Sequence, residues 1–366
     1  MRVAFDLTAL HDPRTGIGAF TGELLTRLVR HDDLELVGYS ASWRGRNDVG
    51  SLAPDGIEVA TRPMAAQPLR QVWRRANWPA ISWWTGKVDL VHGPNFVVPP
   101  GDGAVELMTV HDLTFVHYPE LCKRDVLQFP GLIERALGRG AHVHAVSEFV
   151  GREVVDAFDV SEDRVHVVAN GVDPIPPGDA QHGREVAGGD RFVLAVGTIE
   201  PRKDYPLLIA AFDELAATDA EVRLVIAGQD GWGVAAFDAA LQEARHRDRV
   251  VRLGFVSDDT RADLLAAASV FAYPSRYEGF GLSPLEAMSA GVPVAATRTG
   301  SLPDVLGDAA RLVDPGDRDA LAGALADLLR DGEEHDSLVA RGRERAAGYS
   351  WDACADGVVE LYHRLC

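Results

Sequence analysis

Two carboxylates lie eight residues apart in the stretch Tyr273-Pro-Ser-Arg-Tyr-Glu278-Gly-Phe-Gly-Leu-Ser-Pro-Leu-Glu286-Ala-Met288. The apolar residues Val270–Tyr273 predict a strand before the turn, and Pro284 indicates a first helical residue, because its missing N–H costs nothing there. Gly279 and Gly281 let a ligand approach the backbone closely, and a helix N-terminus offers unpaired N–H groups to an anion. The stretch therefore predicts a strand–turn–helix unit that holds a phosphate and several hydroxyl groups.

A helix cap could account for one of the two carboxylates but not for the other. Ser283-Pro-Leu-Glu286 fits a capping box, in which Glu286 would only bond the backbone N–H of Ser283. Ligand binding and capping therefore both stay open for Glu286. Glu278 precedes two glycines and no helix end accounts for it, which makes it a candidate functional residue.

Further motifs occur along the chain. They are Val110-His111-Asp112, Val146-Ser147-Glu148, Asn170-Gly171-Val172, Gly197-Thr-Ile-Glu-Pro-Arg202-Lys203, Ala227-Gly228-Gln-Asp-Gly-Trp232-Gly and Leu253-Gly-Phe255-Val256-Ser. In order and spacing, they and the first stretch resemble the retaining, nucleotide-sugar-dependent glycosyltransferases of family 4, which have the GT-B fold. The Thr15-Gly-Ile-Gly18 start and the Tyr277-Glu-Gly-Phe-Gly-Leu282 variant look most like mannosyltransferase-type members.

The resemblance implies an α/β fold of two Rossmann-like, doubly wound domains that face a central cleft. It implies catalytic roles for His111, beside the transferred sugar, and for Glu278. It assigns donor binding to Gly18, Arg202, Lys203, Gly228, Phe255, Val256, Gly279, Phe280, Gly281, Leu282 and Glu286. No cofactor and no metal are expected, since Asp317-Arg-Asp319 stands beside Pro315-Gly316 and is more typical of a helix cap.

Arg202 and Lys203 follow the predicted strand Phe192–Gly197. Lysine is rare here, because only three of the 36 Lys and Arg residues are lysine, and a compact ammonium suits a phosphate. By resemblance the pair contacts the donor phosphates, where fixed cations lower the barrier to departure of a diphosphate. Many relatives also carry an arginine where this chain has Thr198, which leaves more of that role to Arg202. A solvated surface pair is the alternative.

His111 follows the predicted strand Val105–Val110. A histidine at the carboxyl end of a strand can donate a hydrogen bond to a sugar hydroxyl near neutral pH, and a histidine packed in the core is the alternative. By resemblance, the Thr15–Gly18 turn lies near the donor phosphate and the acceptor. It lacks the third glycine of a dinucleotide motif, because Thr21 stands there, so NAD binding is not favoured.

The composition indicates a globular protein of two domains. A chain of 366 residues with 46% hydrophobic and 25% charged residues suits two domains, each with its own core. The net charge of −19 argues against a nucleic-acid partner. We expect neither a membrane-spanning run nor a signal peptide, and Cys122, Cys354 and Cys366 show no disulfide or metal spacing. A cytoplasmic location is therefore expected.

Both halves alternate short strands with amphipathic helices, which predicts parallel α/β layers. Strands are predicted over Val3–Leu7, Leu34–Tyr39, Leu90–Gly93, Val105–Val110, Val143–Val146, Val165–Val168, Phe192–Gly197, Val222–Ala227, Val250–Leu253, Val270–Tyr273 and Val292–Ala295. The first helix is predicted over Gly18–Arg30, with Phe20, Leu24, Leu25 and Leu28 on one stripe.

Prolines and glycines after Val172 predict a linker over residues 172–190. It would join an acceptor-side domain, residues 1–171, to a nucleotide-sugar-binding domain, residues 191–349. By resemblance, the last helix, Trp351–Leu365 within residues 350–366, crosses back onto the first domain.

The segment Gln71–Trp84 contains four of the seven tryptophans and, with Arg70, three arginines. Aromatic and basic residues together suit a membrane interface or a lipid-linked acceptor, and peripheral contact with the inner face of the cell membrane would follow. Pro79 breaks a helix there, so ordinary packing is the alternative.

We expect transfer of a hexose, first mannose from GDP-mannose, to a hydroxyl of a glycan or a lipid-linked acceptor. Acceptor contacts are expected in loops after Asp6, around Trp43–Arg46 and across Arg70–Trp84. The alternatives are a sugar-nucleotide epimerase of the same fold, an NAD-dependent oxidoreductase and a non-catalytic sugar-nucleotide-binding protein. An epimerase would show no acceptor dependence, the missing Tyr-x-x-x-Lys disfavours the oxidoreductase, and the complete charged set disfavours a non-catalytic protein.

Overall fold

The computed structural model describes residues 1–11, 16–42, 49–60, 62, 65–330 and 332–366. The chain divides into two compact units: unit 1 comprises residues 1–171 and 350–366, and unit 2 comprises residues 172–349. Thr15 and the Trp43–Arg46 loop lie outside the described residues. No helix within the described ranges is long and apolar enough to cross a membrane.

Unit 1 is built on a parallel sheet. Its strands are β1 (Arg2–Asp6), β2 (Glu35–Tyr39), β3 (Glu58–Val59), β4 (Leu90–Gly93), β5 (Val105–Val110), β6 (His142–Ala145) and β7 (Val165–Val167). In the described part of the chain their order across the sheet is β3-β2-β1-β4-β5-β6-β7. The consecutive residues Val3, Ala4 and Phe5 are all fully buried, as a parallel sheet covered on both faces requires.

Seven helices of unit 1 precede its last strand. They are α1 (Gly16–Leu28), α2 (Val49–Leu52), α3 (Ala66–Trp73), α4 (Ser82–Thr85), α5 (Thr114–His117), α6 (Phe129–Arg139) and α7 (Glu148–Phe158), among the described residues. The predicted stripe on α1 is confirmed, since all four of its apolar side chains are fully buried.

Unit 2 repeats this architecture. Its strands are β8 (Phe192–Val196), β9 (Arg223–Ala227), β10 (Val250–Gly254), β11 (Val270–Tyr273), β12 (Val294–Thr297) and β13 (Ala310–Val313). Its helices are α8 (Ala180–Ala187), α9 (Tyr205–Thr218), α10 (Val234–Glu243), α11 (Asp258–Ala267), α12 (Leu282–Ser289), α13 (Leu302–Leu306), α14 (Arg318–Leu328) and α15 (Glu333–Ala347). Their strands lie in the order β10-β9-β8-β11-β12-β13 across the described sheet.

Most predicted strands form within a residue or two of the expected bounds, but β3 and β13 were missed. Both are edge strands, with two residues in β3 and four in β13. The strand predicted over Val292–Ala295 begins later, as β12, because the Val292 N–H bonds the Ala287 carbonyl at the end of α12. The predicted cap is confirmed, since the Asp317 side chain accepts from the Ala320 N–H at the start of α14.

The prediction of a linker over residues 172–190 is wrong for its second half, which forms α8. Asp179 caps this helix by accepting from two backbone N–H groups. At Gly183 an added Cβ would overlap the Asp263 carbonyl group of α11. The glycines that suggested flexibility therefore allow close helix packing, and α8 belongs to the core of unit 2.

The strand order reverses once in each sheet, between β1 and β4 in unit 1 and between β8 and β11 in unit 2. Ligands in open α/β sheets bind outside the carboxyl ends of the strands at such a reversal. We therefore expect ligands to bind at the loops after these four strands.

The last helix, α16 (Trp351–Leu365), belongs to unit 1 and matches its predicted bounds. A buried polar chain joins it to the sheet. Tyr362 Oη lies 2.6 Å from His92 Nδ1, and His92 Nε2 lies 2.8 Å from Thr109 Oγ1. Thr109 Oγ1 lies 3.1 Å from His144 Nδ1, and His144 Nε2 lies 2.9 Å from the Val168 carbonyl oxygen. All four side chains are fully buried.

The carbonyl at one end sets the direction of every proton in this chain. Because Val168 O can only accept, His144 Nε2 carries a proton, and neutral His144 then accepts at Nδ1 from the Thr109 hydroxyl. That hydroxyl in turn accepts from His92 Nε2–H, so His92 Nδ1 accepts from Tyr362. In this arrangement both imidazoles are neutral.

Burial keeps both histidines neutral. It lowers the pKa of His92 well below its usual 6.5 and that of His144 to about 4. In the unfolded chain these imidazoles bind protons below about pH 6.5, whereas folded His144 does not until the pH nears 4 and folded His92 also stays neutral well below its usual range. The two histidines therefore reduce stability progressively as the pH falls through that window.

We expect Tyr362→Phe to destabilise unit 1 by about 1–3 kcal/mol, because it leaves the buried His92 Nδ1 without a donor. The measurement is urea unfolding at pH 7.5. Glu360→Gln, at an exposed residue of the same helix, is the control and should leave the midpoint unchanged. Equal midpoints for wild type and Tyr362→Phe would mean that the polar chain does not hold α16 in place.

Candidate active site

The loop after β8 carries two cations into the interior of unit 2. Gly197 follows β8 at φ +150, and residues Pro201–Lys203 form a 3-10 turn before α9. Tyr205, at the start of α9, donates to the Gly197 carbonyl at 2.9 Å and fixes the loop against the helix. The turn therefore positions Arg202 and Lys203 at the carboxyl end of a central strand.

Glu278, in the loop after the neighbouring strand β11, pairs with both cations. Its Oε1 lies 2.7 Å from Lys203 Nζ, and its Oε2 lies 2.6 Å from Arg202 Nη1. Only 6% of Glu278 is exposed, and both basic side chains are mostly buried. The alternative of a solvated surface pair is therefore wrong, and the structure brings together three residues that the sequence singled out separately.

Electrostatics keep Glu278 ionised. Burial raises the pKa of this carboxyl, but the charges of Arg202 and Lys203 outweigh burial and hold the pKa at about 2. Because the pKa lies below the usual 4.5, the pair stabilises the fold above that pH and loses its effect only as the pH falls towards 2.

Each cation has a second partner. Arg202 also donates to Glu200 at 2.7 Å and to the Tyr277 carbonyl at 3.0 Å. Lys203 also donates to the Tyr273 hydroxyl at 2.6 Å and lies 4.4 Å from the centre of that ring. Burial lowers the pKa of Lys203, and Glu278 opposes this effect. Two carboxylates thus balance two cations at the switch point.

The loop after β12 supports the Glu278 backbone, and the sequence analysis missed it. Ser301 is fully buried; its N–H donates to the Glu278 carbonyl at 2.9 Å and its hydroxyl to the Phe280 carbonyl at 3.0 Å. Gly300, at φ +55, lies so close to Glu278 that a Cβ would overlap its carbonyl oxygen. The Gly-Ser pair between a strand and a helix was the available signal.

The turn of residues 279–282 leads into α12 as the glycines predicted. Gly281 adopts φ +105 at the N-cap of the helix, which begins at Leu282, without a side-chain cap. The Phe280 ring is buried edge-to-face on Tyr349, with the ring centroids 5.5 Å apart. Packing therefore occupies this side chain, so any contact of Phe280 with a ligand would come from its backbone.

Glu286 is not part of a capping box. Ser283 is inside α12 rather than at its N-cap, and Pro284 is its third residue rather than its first. Glu286 instead accepts from Arg261 Nη1 at 2.7 Å, and both side chains are partly exposed. Burial raises the pKa of Glu286, and Arg261 opposes this effect.

The predicted donor-binding residues that follow β9 and β10 differ in their surroundings: Gly228 is needed for packing, whereas Phe255 is exposed. A Cβ at Gly228 would overlap the Gly197 carbonyl oxygen, so this glycine lets the two strand-end loops pack together. Phe255, after β10, is 65% exposed, and Val256 beside it is partly buried. Phe255 therefore offers a free aromatic face at a strand end.

His111 and Gly18 lie in unit 1. His111 Nε2 donates to the Pro94 carbonyl at 2.7 Å, and burial lowers the pKa of the imidazole. Its ring meets Phe20 edge-to-face with centroids 4.9 Å apart. A neutral His111 thus keeps Nδ1 without a hydrogen-bond partner among the described residues. Gly18 is buried inside α1.

In the described part of the chain, no group of three or more His, Cys, Asp and Glu side chains is arranged to hold a metal ion. The metal-free site therefore stays a prediction.

Both halves of the chain match known families. Residues 14–175 match the family described as Glycosyltransferase Family 4, and residues 179–345 match Glycosyl transferases group 1. An O-antigen chain mannosyltransferase B from Escherichia coli is 30% identical over 387 aligned positions, which cover 100% of both chains. This chain belongs to the family 4 glycosyltransferases. The resemblance of its motifs is confirmed.

Other similar proteins agree with this glycosyltransferase assignment. An MMP alpha-(1->4)-mannosyltransferase from Mycolicibacterium hassiacum is 32% identical over 68% of this chain and 57% of its own length. The structure of WaaG, a glycosyltransferase involved in lipopolysaccharide biosynthesis, covers 98% of this chain and 99% of its own at a TM-score of 0.74 and 17% identity. The structure of Anabaena Alr3699/HepE in complex with UDP-glucose covers 100% of both chains, at a TM-score of 0.77 and 18% identity. The predicted GT-B fold is therefore confirmed.

We expect Glu278→Gln to destabilise unit 2 by about 3–5 kcal/mol, because it leaves two buried cations without their carboxylate. Glu286→Gln should cost no more than about 1 kcal/mol, since its pair with Arg261 is partly exposed. Urea unfolding measures both, with Glu243→Gln on the surface of α10 as the control. Similar losses for Glu278 and Glu286 would contradict the distinction between a buried triad and a screened pair.

Proposed function

We propose that this glycosyltransferase moves mannose from GDP-mannose to a hydroxyl of a glycan or lipid-linked acceptor, with retention of configuration. The observation that carries the proposal is the buried triad of Arg202, Lys203 and Glu278 at the switch point of unit 2. Full-length similarity to an O-antigen chain mannosyltransferase supports the choice of sugar.

A nucleotide diphosphate donor suits the triad. Arg202 and Lys203 present two fixed positive charges where a diphosphate accumulates negative charge as the sugar leaves. Similar folds have been solved with UDP and with UDP-glucose, which supports a nucleotide sugar as the class of donor. The Gly279–Leu282 backbone would add N–H donors from the start of α12.

The reaction needs no enzymatic nucleophile. The bond between sugar C1 and the diphosphate oxygen breaks, and a bond from C1 to the acceptor oxygen forms on the same face. The proton of the acceptor hydroxyl goes to an oxygen of the departing diphosphate. In this mechanism the protein orients the reactants and stabilises charge, which the ionised, rigidly held triad is suited to do.

In this proposal the remaining predicted residues contact the nucleobase, the ribose or the transferred sugar. Phe255 offers its exposed face to the nucleobase, with Val256 and Gly228 beside it. Glu286 accepts from the ribose hydroxyls in exchange for part of its bond to Arg261. His111 uses Nδ1 toward the transferred sugar, and Gly18 allows close backbone approach.

We expect GDP to raise the melting temperature of the protein more than UDP or ADP does, since a ligand at 100 times its Kd stabilises by about 2.7 kcal/mol. A larger shift with UDP would replace guanosine in the proposal, and no shift with any diphosphate would contradict a nucleotide-sugar donor. Formation of a mannoside only when an acceptor is added would exclude an epimerase.

Lys203→Ala should raise the Kd for GDP by about tenfold or more. One charged hydrogen bond is lost, and the ammonium no longer offsets the negative charge of Glu278. The Kd for GMP should change less if the ammonium faces the distal phosphate. Isothermal titration measures both, with Lys87→Ala at an exposed lysine of unit 1 as the control. Equal weakening of GDP and GMP would remove Lys203 from the distal phosphate.

The tryptophan-rich segment is partly packed and partly exposed. Trp73 is buried and donates to the Pro79 carbonyl at 3.0 Å, and the Arg70 guanidinium lies 5.6 Å from the centre of the Phe129 ring. Trp78 and Trp83 are 59% and 58% exposed and meet edge-to-face. Membrane contact is therefore proposed for the exposed half of the segment, with the exposed Arg75 beside it.

Anionic vesicles test this contact by co-sedimentation in low salt. Wild type should sediment with vesicles of phosphatidylglycerol, and the pair Trp78→Ser and Trp83→Ser should not, because the aromatic contact with the interface is lost. Trp232→Ser, at an exposed tryptophan of unit 2, is the matched control. Wild type remaining in the supernatant would favour a soluble acceptor.

A further inference from the structure

A polar cavity of about 690 Å³ in unit 1 shares no residue with the candidate active site. One face of α6 lines it, together with Asn77, Ala80 and residues 100–102 from two loops. Glu106, the second residue of β5, also lines it, so the cavity lies at the amino edge of the sheet. Substrates of open α/β sheets bind at the opposite, carboxyl edge. Of the described segments expected to contact the acceptor, only Arg70–Trp84 reaches this cavity.

A buried ion pair holds the lining of the cavity in place. Arg139, at the end of α6, reaches Glu106 with Nη2 2.6 Å from Oε2 and Nε 3.0 Å from Oε1. The two side chains are only 8% and 10% exposed. Glu106 also accepts from the Gly101 N–H at 2.9 Å, and Arg139 donates to the Val98 carbonyl at 3.1 Å. The helix and the loop before β5 are thus fixed before any ligand binds, and these two charges satisfy each other.

Two further arginines in the lining have donors without acceptors. In the described ranges Arg74 makes no side-chain hydrogen bond or ion pair, and its Nε lies 3.4 Å from where a Cβ of Gly131 would stand. Arg135 donates from Nη2 to Asn77 at 2.9 Å, but its Nε is buried without an acceptor. Gly131 and Arg135 are one turn apart on α6, so the two guanidinium groups are neighbours. An anion that accepts from both would relieve their repulsion.

Two carboxylates complete the lining. Asp102 accepts from the Ser82 hydroxyl at 2.9 Å, and Glu134 lies on the exposed side of α6. Neither forms an ion pair with Arg74 or Arg135 in the part of the chain that the structure describes. Because the lining contains three arginines and three acidic residues, it has no excess charge to attract a simple anion. The ligand that fits best presents acceptors to the guanidinium groups and donors to the carboxylates.

We propose that this cavity binds a soluble sugar phosphate at the edge of the sheet opposite to the transfer reaction. The phosphate oxygens accept from Arg74 and Arg135, and the sugar hydroxyls donate to Asp102 and Glu134. The volume lies within the range of about 300–1,000 Å³ that is usual for small-molecule sites. The ligand is neither donor nor acceptor in the transfer, so the proposal does not depend on their identity.

Isothermal titration of the full chain with glucose 6-phosphate tests this, with GDP present in excess to occupy Arg202 and Lys203. Wild type should bind glucose 6-phosphate, and Arg135→Gln should bind it about tenfold more weakly, because a charged hydrogen bond is lost. Arg364→Gln, at an exposed arginine of α16, is the matched control and should bind as wild type does. Inorganic phosphate should bind wild type about fivefold more weakly than glucose 6-phosphate, because it cannot supply the hydroxyl contacts.

Gly138→Leu fills the cavity without removing a charge, since a Cβ at Gly138 would meet nothing within 4 Å. It should abolish binding, while the melting temperature should not fall, because leucine favours a helix more than glycine does. Failure of wild type to bind, wild-type affinity in Arg135→Gln or Gly138→Leu, or equal affinity for inorganic phosphate would overturn the proposal.

Two further arms separate this ligand from the others proposed for the protein. Vesicles of phosphatidylglycerol should not displace glucose 6-phosphate, and displacement would assign the arginines to a lipid headgroup and overturn a soluble ligand. If GDP itself does not bind, the donor proposal fails, but the comparison of Arg135→Gln and Gly138→Leu with wild type still locates the sugar phosphate.

Discussion

The ion pairs of Glu278 with Arg202 and Lys203 are the constraint on which unit 2 depends. They join the loops after β8 and β11, the two strands at which the sheet order reverses. A buried carboxylate is tolerable there only because two cations lie within hydrogen-bond distance of it. The same contacts keep the loops in place, so the charges proposed for donor binding also stabilise the fold.

Unit 1 uses neutral hydrogen bonds for the corresponding task. The chain from Tyr362 to His144 crosses four elements and anchors α16, and burial keeps its imidazoles uncharged. His111 lies at the same carboxyl edge, with its own pKa lowered by burial. Its neutral ring can therefore offer Nδ1 as an acceptor near neutral pH. Unit 2 is held together by buried ion pairs and unit 1 by hydrogen bonds between neutral groups, because the two cores bury different side chains.

Sequence patterns predicted the strand–helix order, the bounds of α16 and the identity of the charged residues, because these depend on local periodicity and residue type. They did not predict the edge strands β3 and β13. The glycines of residues 172–190 indicated a linker, yet Gly183 packs against Asp263. Ser301 was missed, since its partners Glu278 and Phe280 lie about 20 residues away in the sequence.

The sequence by itself determined the fold class, the family motifs and Glu278 as a residue that no helix end explains. Only the tertiary structure decided which interactions those residues make. Glu286 satisfies a capping-box spacing, but α12 begins at Leu282, so the carboxylate turns to Arg261 instead. Pairing of this kind depends on which loops the sheet order brings together, and spacing along the chain does not contain that information.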